Sequence, residues 1–442
     1  MIRSRRAVLQ TVGIGLTALA GCTALEGRNE SPSFDADALV ALGERQVPEP
    51  PRAFPLSLPK EMVSRHMEQA RTLIDVVPPE PDLPNEAVVD QLQEKRHSLV
   101  DRLADVPAEE ESEATIRLRD LRAARRLREE VAALEAAYRA ATDGLPPARV
   151  GERRDRLRTN LREFEEEWTY RGDNSTNALL VHTELEDLRW EVQGAIDPER
   201  AFPEAPSTDV FRAGQVVGTL ERGQAALADA ERLRSRYLDQ LTEPVSYRSR
   251  ISIAAANLRG RTQQYGRTLE GYVEQAGADS FPFGGSIEDT PLERLYYRAA
   301  AGVQSTRPDA ERARYRGDQA TALLETGKTL ARVRALDAIV TDIRTEAVGP
   351  PDTVEDLRSL RQDALAELEA AWETAPVGLS ASLAHWAWVL IEEARDHLKG
   401  TRYEDEYRPD ANDAHHAFAN YVTAGQLAAA VPRTVDDIQT VL

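Results

Sequence analysis

The sequence predicts an all-α protein, built as elongated antiparallel bundles of long helices behind an N-terminal signal and a flexible tether. Three observations carry this. Apolar residues recur at three-four spacing along most of the chain, period-two alternation is almost lacking after Pro59, and glycine and proline breaks separate the periodic segments. Several segments between breaks run about 25 to 35 residues, or roughly 40 to 50 Å of helix. That is about twice the helix length of tetratricopeptide-like repeats, so bundles fit better than a short-helix array.

Taken in order, residues 22–58 carry Pro32, Pro48, Pro50, Pro51 and Pro55 among small and acidic residues, which predicts an extended spacer with a short helix near Asp35–Gly43. A first bundle is expected over 59–195. Within it Ala124, Leu127, Val131, Leu134, Tyr138 and Ala141 form one seam, and Ala178, Val181, Leu185, Leu188, Val192 and Ala195 form another. After a linker from Pro198 to Pro206, a second bundle is expected over 207–347, with a seam through Ile251, Ala255, Leu258, Thr262, Tyr265, Leu269, Tyr272 and Ala276. A C-terminal helical segment, 348–442, closes with Ala411, Ala414, Phe418, Tyr421, Gly425 and Ala428. Phe281-Pro282-Phe283-Gly284-Gly285 reads as a loop. Thr290-Pro291-Leu292-Glu293 and Asp352-Thr353-Val354-Glu355 read as capped helix starts, and Lys399-Gly400 as a helix end.

Charge order suggests how two of these helices meet. Arg117 to Arg128 precede Glu129, Glu130 and Glu135, whereas the next helix opens with Arg149 to Arg158 and closes with Glu163 to Glu167, against its own dipole. Folding the pair about Gly144-Leu145-Pro146 would set arginines opposite glutamates and place Leu157 near Leu134. An antiparallel hairpin is therefore expected here.

Composition excludes several functions. The chain has 442 residues and a net charge of −20, so binding to nucleic-acid phosphates is not expected. Its one cysteine, Cys22, excludes an internal disulfide, a multi-cysteine zinc site and a cysteine nucleophile in the body. No phosphate-cradling glycine loop, serine elbow or histidine-glutamate zinc helix is present, so no catalytic residue and no cofactor is assigned. Glu393 and His397, four apart on one helix face, are the candidate metal ligands if another helix adds donors. The glutamate-x-x-histidine spacing of di-iron bundles is absent, however, and His397, three residues before Gly400, reads first as a cap on helix carbonyls. His415 and His416 head an apolar helix, with one expected at the surface and the other packed. Trp386 and Trp388 straddle Ala387, so one is expected in the seam. Tyr403-Glu404-Asp405-Glu406-Tyr407 reads as an acidic solvated loop. Asn29 and Asn174 begin glycan acceptor triplets, and Asn174 is equally suited to cap a helix.

The first 22 residues carry an address. Met1 to Arg6 is basic, and Ala7 to Ala20 is mildly apolar but too short and polar for a permanent span. Ser4-Arg5-Arg6-Ala7-Val8-Leu9 resembles a twin-arginine export signal, with Val8 and Gln10 in place of the usual phenylalanine and lysine, and Leu19-Ala20-Gly21-Cys22 resembles a lipobox. The resemblance covers residues 1–22 alone. It implies removal of 1–21, lipidation of Cys22 and a protein held by lipid at the extracytoplasmic face of the membrane. The acidic excess, with Lys60, Lys95, Lys328 and Lys399 as the only lysines, resembles a halophilic archaeal protein. A non-enzymatic scaffold, adaptor or ligand-capturing module with an unknown protein or small-molecule partner is the expectation. A transporter's solute-binding lipoprotein is the second reading, and a metal-binding or enzymatic bundle using the late histidines is the third.

Overall fold

The computed structural model describes residues 34–105, 115–142, 145–199, 201–274, 287–399 and 408–442. Arg5, Arg6, Cys22 and Asn29 lie outside these residues, as do Gly144, Gly284, Gly285, Gly400 and the 403–407 loop. The described residues form thirteen α-helices, one short 3-10 turn and four two-residue strands, an all-α bundle protein.

Residues 34–58 are not a free spacer. Helix α1 (Ala36–Gly43) buries Leu39 and Leu42, and Gly43 meets the backbone of Leu398 and Lys399 so closely that a Cβ would stand 2.8 Å from the Lys399 nitrogen. The proline-rich run that follows is held by its carbonyls: Arg361 donates to Gln46 at 2.8 Å and Trp388 donates to Pro48 at 3.0 Å. Leu56 and Leu58 then enter a different core. Proline supplies no backbone donor, so such a run docks by accepting from side chains, a pairing that local sequence does not reveal.

The first packed set comprises α2 (Glu61–Ile74), α3 (Glu86–Ala104), α4 (Leu118–Thr142), α5 (Pro147–Glu167), α6 (Ser175–Ile196) and α7 (Val210–Asp239). Helix α4 is buried on two sides. Its predicted seam, Ala124, Leu127, Val131 and Leu134, packs on α2 and α3, while Glu129, Ala133 and Ala137 face Gly214 and Gly218 of α7. That second face corrects the expected hairpin. α7, not α5, lies along α4, and α5 packs on α6 and α7. Leu157 and Leu134 accordingly belong to different cores. The charges follow suit: Arg122 pairs with Glu184, Arg128 with Glu221 at 2.6 Å, and Arg234 with Glu167.

The second set comprises α8 (Arg248–Glu274), α9 (Pro291–Arg316), α10 (Gln319–Arg344), α11 (Val354–Glu373), α12 (Val377–Lys399) and α13 (Ala411–Val441). Gly317, with φ of +80°, makes the tight turn from α9 into α10. The expected division at 195/207 separates α6 from α7, two helices in close contact, and the division at 347/348 separates α10 from α13, which share a core. Two expected caps are displaced. The Thr290 hydroxyl donates to Ile287 instead of capping α9, while Glu293 accepts from Asp289. At α11 the box is Thr353 with Asp356, one residue later than expected.

Helix α6 joins the sets, contributing Val181, Leu185, Leu188 and Val192 to the first core and Ala178 and Leu179 to the second. From it Glu186 reaches across to accept from the amides of Ala320 and Thr321, at 3.0 and 2.6 Å, capping α10 in the absence of a local side-chain cap, and it also accepts from the Tyr170 hydroxyl. One turn away, His182 Nδ1 accepts from Trp168 at 3.1 Å while Nε2 donates to the Arg171 carbonyl at 3.0 Å. Both ring nitrogens suit the neutral form, and burial holds this imidazole down to about 4. Because that value lies below the unfolded one, the stabilisation is complete above about 6.5 and is lost as pH falls toward 4, up to about 3 kcal/mol in size. Burial pushes Glu186 up to about 7, which acts in the opposite sense, with stability lost as pH rises from about 4.5 through 7. The stability difference between wild type and His182→Phe should therefore grow with pH between 4 and 6.5. Denaturant titrations at several pH values check this, and a pH-independent difference would contradict it.

Candidate functional site

The two late candidates for metal are not brought to a common point. Glu393 is engaged by Arg298 of α9. His397 turns to α13, where its ring stacks on His416 at 4.7 Å and its Nδ1 lies 3.8 Å from Asp413. Among the described residues no group of three or more His, Cys, Asp or Glu side chains is placed to hold a metal ion. His415 and His416 are both half-buried, and His415 meets Phe34 edge-on at 6.1 Å. Trp386 and Trp388 are each half-buried as well. The first lies beneath Arg298 and Arg332, and the second is fixed by its bond to Pro48. Asn174 caps α6, its side-chain oxygen accepting from Asn177 at 2.8 Å.

The feature with room for a ligand lies elsewhere. Helices α8 and α9 each pack on α10 but scarcely touch one another, so they splay and leave an open groove of about 770 Å³ over the first half of α10. The size is that of a small-molecule pocket, commonly about 300 to 1,000 Å³. Ala255 of α8, Val303 of α9 and Ala322 and Val333 of α10 give it an apolar base. The hydroxyls of Thr262, Thr326 and Thr329 donate to carbonyls of their own helices at 2.9, 2.6 and 2.8 Å, which leaves oxygen lone pairs as acceptors. Pro308, within α9, has no N–H to offer the Gln304 carbonyl one turn back, and both residues line the groove. Arg259, Arg307 and Arg314 complete the walls, with Glu311 as the acid among them.

A second open space, between α3, α4 and α7, is polar and is lined by Glu94, Lys95, Arg102, Glu129, Glu130 and Asp209 among others. Its charges are mixed and several are paired internally, Arg102 with Glu130 and Lys95 over the Phe211 ring at 5.8 Å. Fewer groups are left there to recognise anything.

Sequence reasoning missed the α8–α10 groove because it arises from how two helices diverge. The one sequence signal was Pro308 inside an otherwise helical pattern. Among known proteins, residues 61–243 match a family described as Domain of unknown function (DUF8262), and residues 248–440 match another described as Domain of unknown function (DUF8264). These bounds meet between α7 and α8, where the two packed sets also divide. No curated protein and no solved structure matches the chain.

Proposed function

We propose that this is a lipid-anchored helical protein of the extracytoplasmic membrane face, a non-enzymatic module that captures a ligand with its second bundle. The observation that supports capture is the open groove of α8, α9 and α10, which has the volume of a ligand pocket. Anchoring is inferred from the Arg5-Arg6 and Cys22 motifs. Among the described residues no helix is long and apolar enough to cross a membrane. The docked course of residues 34–58 shortens the expected tether to the eleven residues between Cys22 and Phe34, which reach at most about 40 Å. Cys22→Ser should therefore yield protein that separates from membranes in a high-salt wash. Lysine at both Arg5 and Arg6 should stop export. Retention of the Cys22→Ser protein after the wash would refute the lipid anchor. A transporter's solute-binding role shares the groove but is disfavoured, since such proteins usually alternate strands and helices.

A further inference from the structure

We infer that the groove between α8, α9 and α10 binds a small anionic amphiphile, one apolar chain bearing a phosphate, sulfate or carboxylate head. This rests on the ligand-capture reading and adds the chemistry of the ligand.

Charge placement carries the inference. In this acidic protein several neighbouring guanidinium groups find carboxylates: Arg261 with Asp437 at 2.7 Å, Arg316 with Asp318 at 3.0 Å, and Arg298 with Glu393. Arg259 has no carboxylate partner among the described residues. Arg314 has none either and lies over the Tyr315 ring at 4.7 Å. Both line the groove, where the described lining residues include three arginines and one glutamate on a chain of net charge −20. A guanidinium presents paired N–H donors that match the oxygens of a phosphate or carboxylate.

The base of the groove decides between a bare anion and an amphiphile. Ala255, Val303, Ala322 and Val333 offer no donors, and the first amides of α10 at the groove's end are already occupied by Glu186, so a free anion would be held by polar side chains such as Arg259, Arg314 and Gln263 and would leave the apolar base uncovered. An apolar chain along this base removes its surface from water.

The test uses the full chain carrying Cys22→Ser, titrated calorimetrically with dodecyl phosphate, dodecyl maltoside, dodecyltrimethylammonium and inorganic phosphate, each surfactant kept below micelle formation. Dodecyl phosphate should bind saturably, about tenfold or more tighter than the other three probes, and Arg259→Glu with Arg314→Glu should weaken it about tenfold. Ala256→Trp, at an exposed groove position, should abolish binding while leaving the helical melting curve unchanged. Equal affinity for the three surfactant heads, still blocked by Ala256→Trp, would overturn the anionic assignment and leave capture standing. Inorganic phosphate binding as tightly as dodecyl phosphate would overturn the amphiphile. Absence of saturable dodecyl phosphate binding, or affinity unchanged by the charge reversals, would also overturn the proposal.

Discussion

Asp229→Ala should destabilise the protein by about 3 to 5 kcal/mol, the cost expected when one member of a buried ionic cluster is removed. Asp229 on α7 is fully buried and accepts from Arg125 at 3.0 Å and from His66 at 3.1 Å. The Nδ1 of His66 faces a donor, Arg128 at 3.3 Å, so Nδ1 accepts and Nε2 donates to the carboxylate. Deleting the carboxylate leaves a 1% exposed Arg125 that cannot shed its charge, with Glu191 at 3.3 Å as its remaining ion pair among the described residues. Replacing the group together, Asp229→Leu with His66→Leu and Arg125→Met, should recover most of the loss, because apolar packing commonly substitutes for a buried ionic cluster at little cost. Denaturant unfolding measures both variants. A loss below about 1 kcal/mol for Asp229→Ala, the range of exposed pairs, would mean that water reaches the cluster.

Gly214→Val should be of similar severity, about 3 kcal/mol or more, for a steric reason. A Cβ at Gly214 would lie 2.3 Å from the Ala133 carbonyl oxygen and 3.0 Å from the Ala137 Cβ, and one at Gly218 would lie 2.7 Å from the Glu129 carbonyl. Both obstacles are backbone of α4, so relief requires the two helices to move apart. That movement also loosens Arg125–Asp229 and Arg128–Glu221, which bridge the same two helices. Thermal unfolding and loss of protection in amide exchange along α4 and α7 report this. Gly151→Ala, where a Cβ meets nothing within 4 Å, serves as control.

These glycines also explain where the sequence misled. The seams of α4, α6 and α13 were legible because large apolar residues recur at helical spacing, and Val181, Leu185, Leu188, Val192, Phe418 and Tyr421 are all buried. The second face of α4 was not, since alanine, glycine and a backbone carbonyl leave no apolar signal. The charge pattern filled that gap with a false hairpin. An arginine-rich helix meets a suitable acid almost anywhere in this composition, and exposed pairs are too weak to choose a partner. They settle where packing puts them, as Arg122 does on Glu184. The burial of Glu184, Glu186 and His182 was not legible either, since α6 also carries Asp187, Arg189 and Glu191 and its charges look alike in sequence. Of the candidate site, the residue types were in plain view, but the divergence of α8 from α9 depends on contacts with α10 that no local pattern encodes.

The docked N-terminal segment sets an order of events. Its partners are made late: Gln46 waits for Arg361, 315 residues downstream, and Pro48 waits for Trp388, 340 residues downstream. Closing contacts of such separation is slow relative to winding local helices. During synthesis residues 34–58 would thus stay undocked until α11 and α12 have emerged, so their docking belongs to the assembly of the second bundle. On the export proposed above, by a route that carries folded cargo, the docking of residues 34–58 would itself distinguish a folded second bundle from an unfolded one.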